Sequence, residues 1–148
     1  MRRLLPTALL VATLTLLGAT APAYAAGHQF RGHIDTTAVL GPTITISGHG
    51  NVSGLGKTTL YGTEVDDPVT GLTGQATFTA ANGDQVSFAF AGVPVDGSAF
   101  PVITFAGPMT LTGGTGHLAA RAGTVQFAGG YNFATNVGFI DVNGSIGS

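Results

Sequence analysis

The chain has 148 residues, with five basic and seven acidic side chains, 24 glycines and no cysteine. Charged residues make up only 8% of the chain, against about a quarter in an average domain, and this low charge with 44% hydrophobic residues argues against disorder. The lack of cysteine excludes a disulfide framework and a lipid-modified cysteine, so a folded domain must be stabilised by its core alone.

The first 25 residues have the pattern of an export signal. Arg2 and Arg3 form a positively charged start, an apolar segment follows over 4–18, and Ala23-Tyr24-Ala25 places small residues on both sides of a cleavage site. We therefore expect a signal peptide over 1–25, cleavage after Ala25 and a secreted protein. An uncleaved N-terminal anchor is the less favoured alternative, because the apolar segment is short and weakly flanked for a stable membrane span.

The expected mature chain, 26–148, has the length of one domain. It keeps three of the five basic residues and all seven acidic ones, for a formal net charge of −4. A nucleic-acid-binding protein needs a basic stripe that displaces counterions from phosphates. The three remaining basic residues are far apart in the sequence, which excludes that class: Arg31, Lys57 and Arg121.

Alternation of apolar and polar residues recurs along the mature chain, with glycine, asparagine, aspartate and proline between the runs. This pattern predicts eight strands and no helix between them, which favours antiparallel neighbours in a sandwich or a closed barrel. Apolar residues on both faces of the last run indicate a central strand or one that closes a barrel beside the first. The predicted strands span 29–39, 43–53, 57–66, 73–80, 84–91, 100–112, 122–130 and 136–147.

The first hairpin turns at Gly41-Pro42, and its apolar pattern pairs Phe30 with Val52. The same register places His33 opposite His49, on the face away from the apolar side chains. Two imidazoles can begin a zinc site, but no third ligand lies in reach, so we predict no metal site.

The second hairpin turns through 53–56, and a four-residue turn there pairs Gly48 with Tyr61. This register puts Tyr61 in the middle of the apolar face and Lys57 near the barrel mouth. Tyr61 then either completes the core with its hydroxyl hydrogen-bonded or supplies the polar group of a ligand cavity.

Three carboxylates lie close together before Pro68, namely Glu64, Asp66 and Asp67. Paired carboxylates can transfer protons or hold calcium. The register above instead places Glu64 and Asp66 on the outer face beside threonines, and Asp67-Pro68 has the sequence of a turn. We therefore predict that these carboxylates belong to a solvated outer surface.

Two further turns are well specified. At Ala81-Asn82-Gly83, a three-residue loop with Gly83 in the left-handed region pairs Phe78 with Val86. The glycine-rich stretch 113–123 leads from one alternating run into another. A phosphate-binding loop needs a following helix N-terminus or a lysine, and neither is present, so we interpret 113–123 as a barrel corner.

Several of these motifs resemble bacterial members of the allene oxide cyclase barrel and dirigent-like group. The family pattern reads Gly-Gly-Thr-Gly-Arg-Phe-x-x-Ala-x-Gly, and the chain departs from it at His117, Leu118 and Arg121. The resemblance spans nearly the whole mature chain. The matching segments are Gly113-Gly114-Thr115-Gly116 with Gly123, the turn Ala80-Ala81-Asn82-Gly83-Asp84, and the terminal Gly144-Ser145-Ile146.

The resemblance implies an all-β, eight-stranded antiparallel up-and-down β-barrel with an apolar cavity, often as an oligomer. It does not imply the activity, because the polar residues by which the cyclases and the dirigent proteins act have no residue-by-residue match in this chain. No catalytic residue is therefore carried over.

We expect the barrel to bind a small lipophilic ligand or to act as a structural module, without a cofactor. The serines lack the sharp-turn motif of a hydrolase nucleophile. A cyclase- or isomerase-type enzyme is the alternative, and it requires at least two polar groups inside the cavity. A small apolar ligand and a second copy of the chain are the candidate partners. The candidate ligand-binding residues are Tyr61, Lys57, Phe88 and Phe105.

Overall fold

A computed structural model of the chain describes residues 27–67 and 69–147. The expected signal peptide and its cleavage site lie outside the described residues. The described chain forms a closed antiparallel barrel in which each strand pairs with the next and the last with the first. This confirms the predicted fold class. The strands are β1 His28–Val39, β2 Ile44–Val52, β3 Gly56–Asp67, β4 Gly71–Ala80, β5 Gln85–Pro94, β6 Val102–Gly114, β7 Thr124–Asn132 and β8 Val137–Ile146.

Strands β1 and β8 close the barrel. Their pairing runs from His28 opposite Ile146 to Thr37 opposite Val137. Of the two alternatives for the last run, a central strand or one that closes the barrel beside the first, the second is therefore confirmed, and the sheet has no unpaired edge strand. Within the described residues, no helix is long and apolar enough to cross a membrane.

The strand connections define two ends of the barrel. At the closed end lie the connections β2–β3, β4–β5 and β6–β7, together with the start of β1 and the end of β8. At the open end lie the connections β1–β2, β3–β4, β5–β6 and β7–β8. These two names are used below because the packing differs between the ends.

The closed end is filled by large side chains. The rings of Phe30, Phe78 and Phe88 are fully buried and contact one another, with Phe78 edge-on to Phe30 at 5.5 Å and to Phe88 at 5.7 Å between centroids. Such contacts add to the stabilisation that burial of the rings already provides. Aliphatic side chains fill the rest of this end, namely Ile34, Val52, Val86, Val125 and Val142.

The hairpin between β4 and β5 has the predicted register. Phe78 lies opposite Val86, and Ala76 lies opposite Phe88. Gly83 has φ +91°, in the left-handed region that the loop requires. The stretch 113–123 is also a barrel corner as predicted, because a single 3-10 turn at Gly116–Leu118 leads directly towards β7.

The β1–β2 register differs from the prediction by two residues. Gly32, rather than Phe30, lies opposite Val52. A shift of two leaves every side chain on its predicted face, so Phe30 is still buried. The predicted pairing of His33 with His49 is wrong, because His33 lies opposite Asn51 and His49 lies opposite Asp35.

The β2–β3 register differs by one residue, and this exchanges the two faces of β3. The connection has three residues, 53–55, and the Leu55 N–H donates to the Val52 carbonyl oxygen at 3.0 Å. Gly48 consequently lies opposite Leu60 and Ile44 opposite Glu64. The predicted faces of β3 are therefore wrong: Lys57 and Tyr61 lie outside, whereas Glu64 and Asp66 face the interior.

Candidate functional site

The barrel interior contains a cavity at its open end. The volume of the cavity is about 70 Å³, whereas one water needs only about 10–15 Å³. Small side chains at inward positions create this space, because Ala38, Gly62, Ala76 and Gly129 line it where the closed end carries phenylalanine and valine. The cavity is thus a consequence of side-chain size at alternate positions of the strands.

Apolar side chains form most of the cavity wall. Phe90 and Phe127 pack edge to face at 5.6 Å between ring centroids, and Phe105 lines the wall beside them. Near the mouth, Tyr131 and Phe133 pack edge to face at 4.9 Å. Further lining residues include Leu40, Ile46, Leu60, Leu72, Met109 and Ile140.

Two carboxylates lie on the cavity side of β3. Glu64 and Asp66 are alternate residues of one strand and so point to the same face. Burial raises the pKa of Glu64 to about 7, and the negative charge of Asp66 contributes in the same direction. At neutral pH, Glu64 therefore exchanges between its protonated and ionised forms.

Asp66 is the carboxylate closer to the β3–β4 connection. Burial, and after it the charge of Asp67, raises the pKa of Asp66. Its Oδ1 atom is buried and has no hydrogen-bond partner among the described residues. A buried carboxylate oxygen without a partner is costly, so this atom is available to a donor that enters the cavity.

Asp67 has a different role from its two neighbours. Its Oδ1 accepts hydrogen bonds from the backbone N–H groups of Val69 at 2.8 Å and Thr70 at 3.2 Å. These bonds lower the pKa of Asp67 and keep it ionised. The predicted turn role of Asp67 is therefore confirmed, and its fixed charge lies next to Asp66.

Tyr131 supplies a phenol group at the cavity mouth. Its hydroxyl donates a hydrogen bond to Oδ1 of Asn136 at 2.9 Å. Burial raises the pKa of Tyr131, so the phenol remains neutral across the ordinary pH range. The hydroxyl is held by the β7–β8 connection.

A second polar cluster lies on the outer face, around His33. Its Nδ1 is 2.6 Å from Asp141 Oδ1 and its Nε2 is 3.3 Å from Asp35 Oδ1, while its ring stacks on Phe139. The hydrogen bond with Asp141 is the main cause that raises the pKa of His33. Within the described residues, no group of three or more histidine, cysteine or acidic side chains is arranged to hold a metal ion.

The structure separates the four residues predicted to bind a ligand. Phe105 lines the cavity, whereas Phe88 is fully buried at the closed end and does not line it. Tyr61 is 60% exposed on the outer surface, and Lys57 is exposed there too. Only Phe105 thus lies at the cavity.

Sequence reasoning missed Glu64 and Asp66 as cavity residues. The missing signal was the length of the β2–β3 connection, where Gly54 and Gly56 both adopt positive φ, at +82° and +71°. Two such glycines are compatible with a three-residue connection, and that connection places Glu64 inside.

Comparison of the chain with models of protein families, with curated proteins and with solved structures found no match.

Proposed function

We propose that this protein is a secreted, non-enzymatic β-barrel that binds a small lipophilic molecule in the cavity at its open end. The observation that carries the proposal is the contrast between the two ends of one barrel. The closed end is packed by large side chains, while small inward residues leave an apolar space at the open end. The lining of this space, mostly apolar with a few polar groups, has the composition that is typical of ligand sites.

The proposal is tested by ligand capture. Native mass spectrometry of protein taken from its own medium is expected to show a bound small molecule, and Nile red, a neutral apolar probe, is expected to bind competitively with it. Absence of both a bound mass and probe binding would contradict the proposal.

A matched pair of variants tests whether the probe binds in the cavity. Ala38 lines the cavity and Val39, the next residue, is 71% exposed on the outside. Ala38→Phe fills the cavity and is expected to weaken Nile red binding by at least about tenfold, or 1.4 kcal/mol. Val39→Phe adds a ring outside the barrel and is expected to leave the affinity unchanged. Equal effects of the two substitutions would place the probe elsewhere.

The two interior carboxylates favour a second candidate function, that of a cyclase- or isomerase-type enzyme. Glu64, whose pKa is about 7, lies in an apolar cavity beside Asp66, so it can accept and return a proton at neutral pH. Hydrogen–deuterium exchange of cyclohexanone in heavy water, followed by NMR, tests this function. An exchange rate that rises through about pH 7 and disappears in Glu64→Gln supports the enzyme, and exchange no faster than in buffer excludes proton abstraction from such ketones.

Secretion is proposed from the first 25 residues of the sequence. Expression of the full chain in its own cells is expected to release a protein whose mass begins at Ala26. A cell-associated product that retains residues 1–25 would contradict this part of the proposal.

A further inference from the structure

The charge of the cavity is unbalanced. Its ionisable lining residues are Glu64, Asp66 and Tyr131, and the lining formed by the described residues contains no lysine, arginine or histidine. The described residues also contain no ion pair that involves Glu64 or Asp66. The negative charge that these carboxylates carry when ionised therefore has no cation beside it from residues 27–67 or 69–147.

The elements packed around Glu64 offer no such cation. On β2 its neighbour is Ile44, and on β4 its neighbour is Gly74. On its own strand, the neighbouring charged groups are Asp66 and Asp67, both acidic, and the one basic residue, Lys57, is exposed on the outer face seven residues away. Across the cavity, the neutral phenol of Tyr131 is already hydrogen-bonded to Asn136.

A buried carboxylate without a partner is neutralised either by a proton or by a cation that enters from outside. The raised pKa of Glu64 is the first of these responses. A ligand cation would provide the second, and it would displace the proton. The unpartnered Oδ1 of Asp66 provides an acceptor for the same cation.

We propose that the cavity selects lipophilic molecules with an amine head group, which bind as ammonium ions with the head at Glu64 and Asp66 and the chain against the apolar wall. This inference rests on the proposed ligand-binding function. An ammonium ion offers three donors, enough for both carboxylates, and one positive charge, which offsets one of their two negative charges. Lipophilic carboxylates are excluded by the same charges, since like charges in a partly buried site repel each other.

Proton competition makes the selection dependent on pH. Between about pH 5.5 and about pH 8.5 the ionised fraction of Glu64 changes about thirtyfold, while an alkylamine with a pKa near that of lysine stays protonated. Amine affinity is therefore expected to rise over this range. A neutral alcohol of the same length has no charge to pair and serves as the reference ligand.

The test is calorimetric titration of the full mature protein with octylamine, octanol and octanoate at these two pH values. Octylamine is expected to bind at least about tenfold more tightly than octanol at the higher pH and to lose most of that advantage at the lower pH. Octanoate is expected to bind more weakly than octanol at the higher pH. In Glu64→Gln, the octylamine-to-octanol affinity ratio is expected to become nearly independent of pH.

Asp96→Asn is the charge-matched control, because Asp96 is exposed in the β5–β6 connection at the open end and does not line the cavity. It is expected to leave the ratio and its pH dependence unchanged. Equal affinities for octylamine and octanol at both pH values would overturn the amine selection and leave the proposed ligand binding standing. If neither compound binds and Nile red does not bind, both proposals fail together.

Discussion

At the scale of single residues, Glu64 occupies a position where its ionisation opposes folding. The side chain faces an apolar cavity, and burial together with the nearby charge of Asp66 raises its pKa to about 7. In the unfolded chain the same group has a pKa near 4.5. The native state therefore binds more protons than the unfolded state between these values, and its stability falls as the pH rises through that window.

Replacing Glu64 with glutamine removes this penalty. Glu64→Gln is expected to raise the free energy of unfolding near pH 8.5 by about 1–3 kcal/mol after allowance for solvent screening, and to change it little near pH 4.5. Urea denaturation at the two pH values measures the difference. Asp96→Asn serves again as the exposed control, and a Glu64→Gln variant equally stabilised at both pH values would contradict burial of the charge as the cause.

His33 shows the opposite dependence on the outer face. Asp141 and Asp35 bind its ring from two sides and raise its pKa above the model-peptide value of 6.5. Its contribution to stability is present below pH 6.5 and is lost as the pH rises through the native pKa. Because the side chain is 55% exposed, we expect the effect on stability to be small and the titration itself to be the better observable.

NMR titration of the ring proton of His33 tests the pairing directly. The hydrogen bond with Asp141 contributes more than that with Asp35, so Asp141→Asn is expected to lower the His33 pKa further than Asp35→Asn does. The two variants remove the same charge from the two sides of one ring. Equal shifts, or a larger shift for Asp35→Asn, would contradict the geometry of the cluster.

At the scale of elements, two turns of the closed end are joined through one aspartate. Oδ2 of Asp84 accepts hydrogen bonds from the Asn82 side chain at 3.2 Å and from the His117 N–H at 3.3 Å. The Gln85 N–H also donates to Thr115 Oγ1 at 2.9 Å. The β4–β5 hairpin and the β6–β7 corner therefore support each other across the strand ends.

Gly116 is required by this junction. Its φ is +57°, and a Cβ atom there would overlap the Asp84 carboxylate. Gly116→Ala is expected to lower the free energy of unfolding by about 1–3 kcal/mol, from backbone strain and displacement of Asp84. Chemical denaturation measures the loss.

Gly113→Ala is the matched control for this prediction. Gly113 belongs to the same glycine-rich stretch, its φ is not in the left-handed region, and a Cβ atom there meets nothing within 4 Å. We expect its substitution to change stability by no more than about 0.5 kcal/mol. Similar losses for the two alanine variants would show that the stretch as a whole, and not the Asp84 contact, requires glycine.

The strands also show how far patterning predicts this fold. Eight alternating runs and their turns predict the barrel, because strand alternation depends on local sequence alone. The β4–β5 register was predictable because Gly83 specifies its loop. The β2–β3 register was not, because β3 carries apolar side chains on both faces, Leu60 on one and Tyr61 and Val65 on the other, so the apolar pattern alone does not select the buried face. That ambiguity determines whether Lys57 or Glu64 faces the cavity, and only the packed barrel resolves it.

At the scale of the whole molecule, the interior of the barrel consists of a packed end and an end that contains a cavity. Phe30, Phe78 and Phe88 fill the closed end and leave no room for a ligand beside them. The open end is bounded by exposed apolar residues, among them Leu40 at 50% and Phe100 at 77% exposure. A cavity can persist at this end because the packed end carries the larger share of the buried core.

The same substitution at the two ends tests this division of the interior. Phe88→Leu removes part of a fully buried ring that touches two others, and it is expected to lower the free energy of unfolding by about 1–2 kcal/mol without changing Nile red affinity. Phe105→Leu alters the cavity wall and is expected to weaken Nile red binding about fivefold, the effect of roughly 1 kcal/mol of lost contact. Urea denaturation and probe titration on both variants separate the two effects. If Phe88→Leu weakened the probe as much as Phe105→Leu does, ligand binding would depend on the whole core, and the division between the two ends would be wrong.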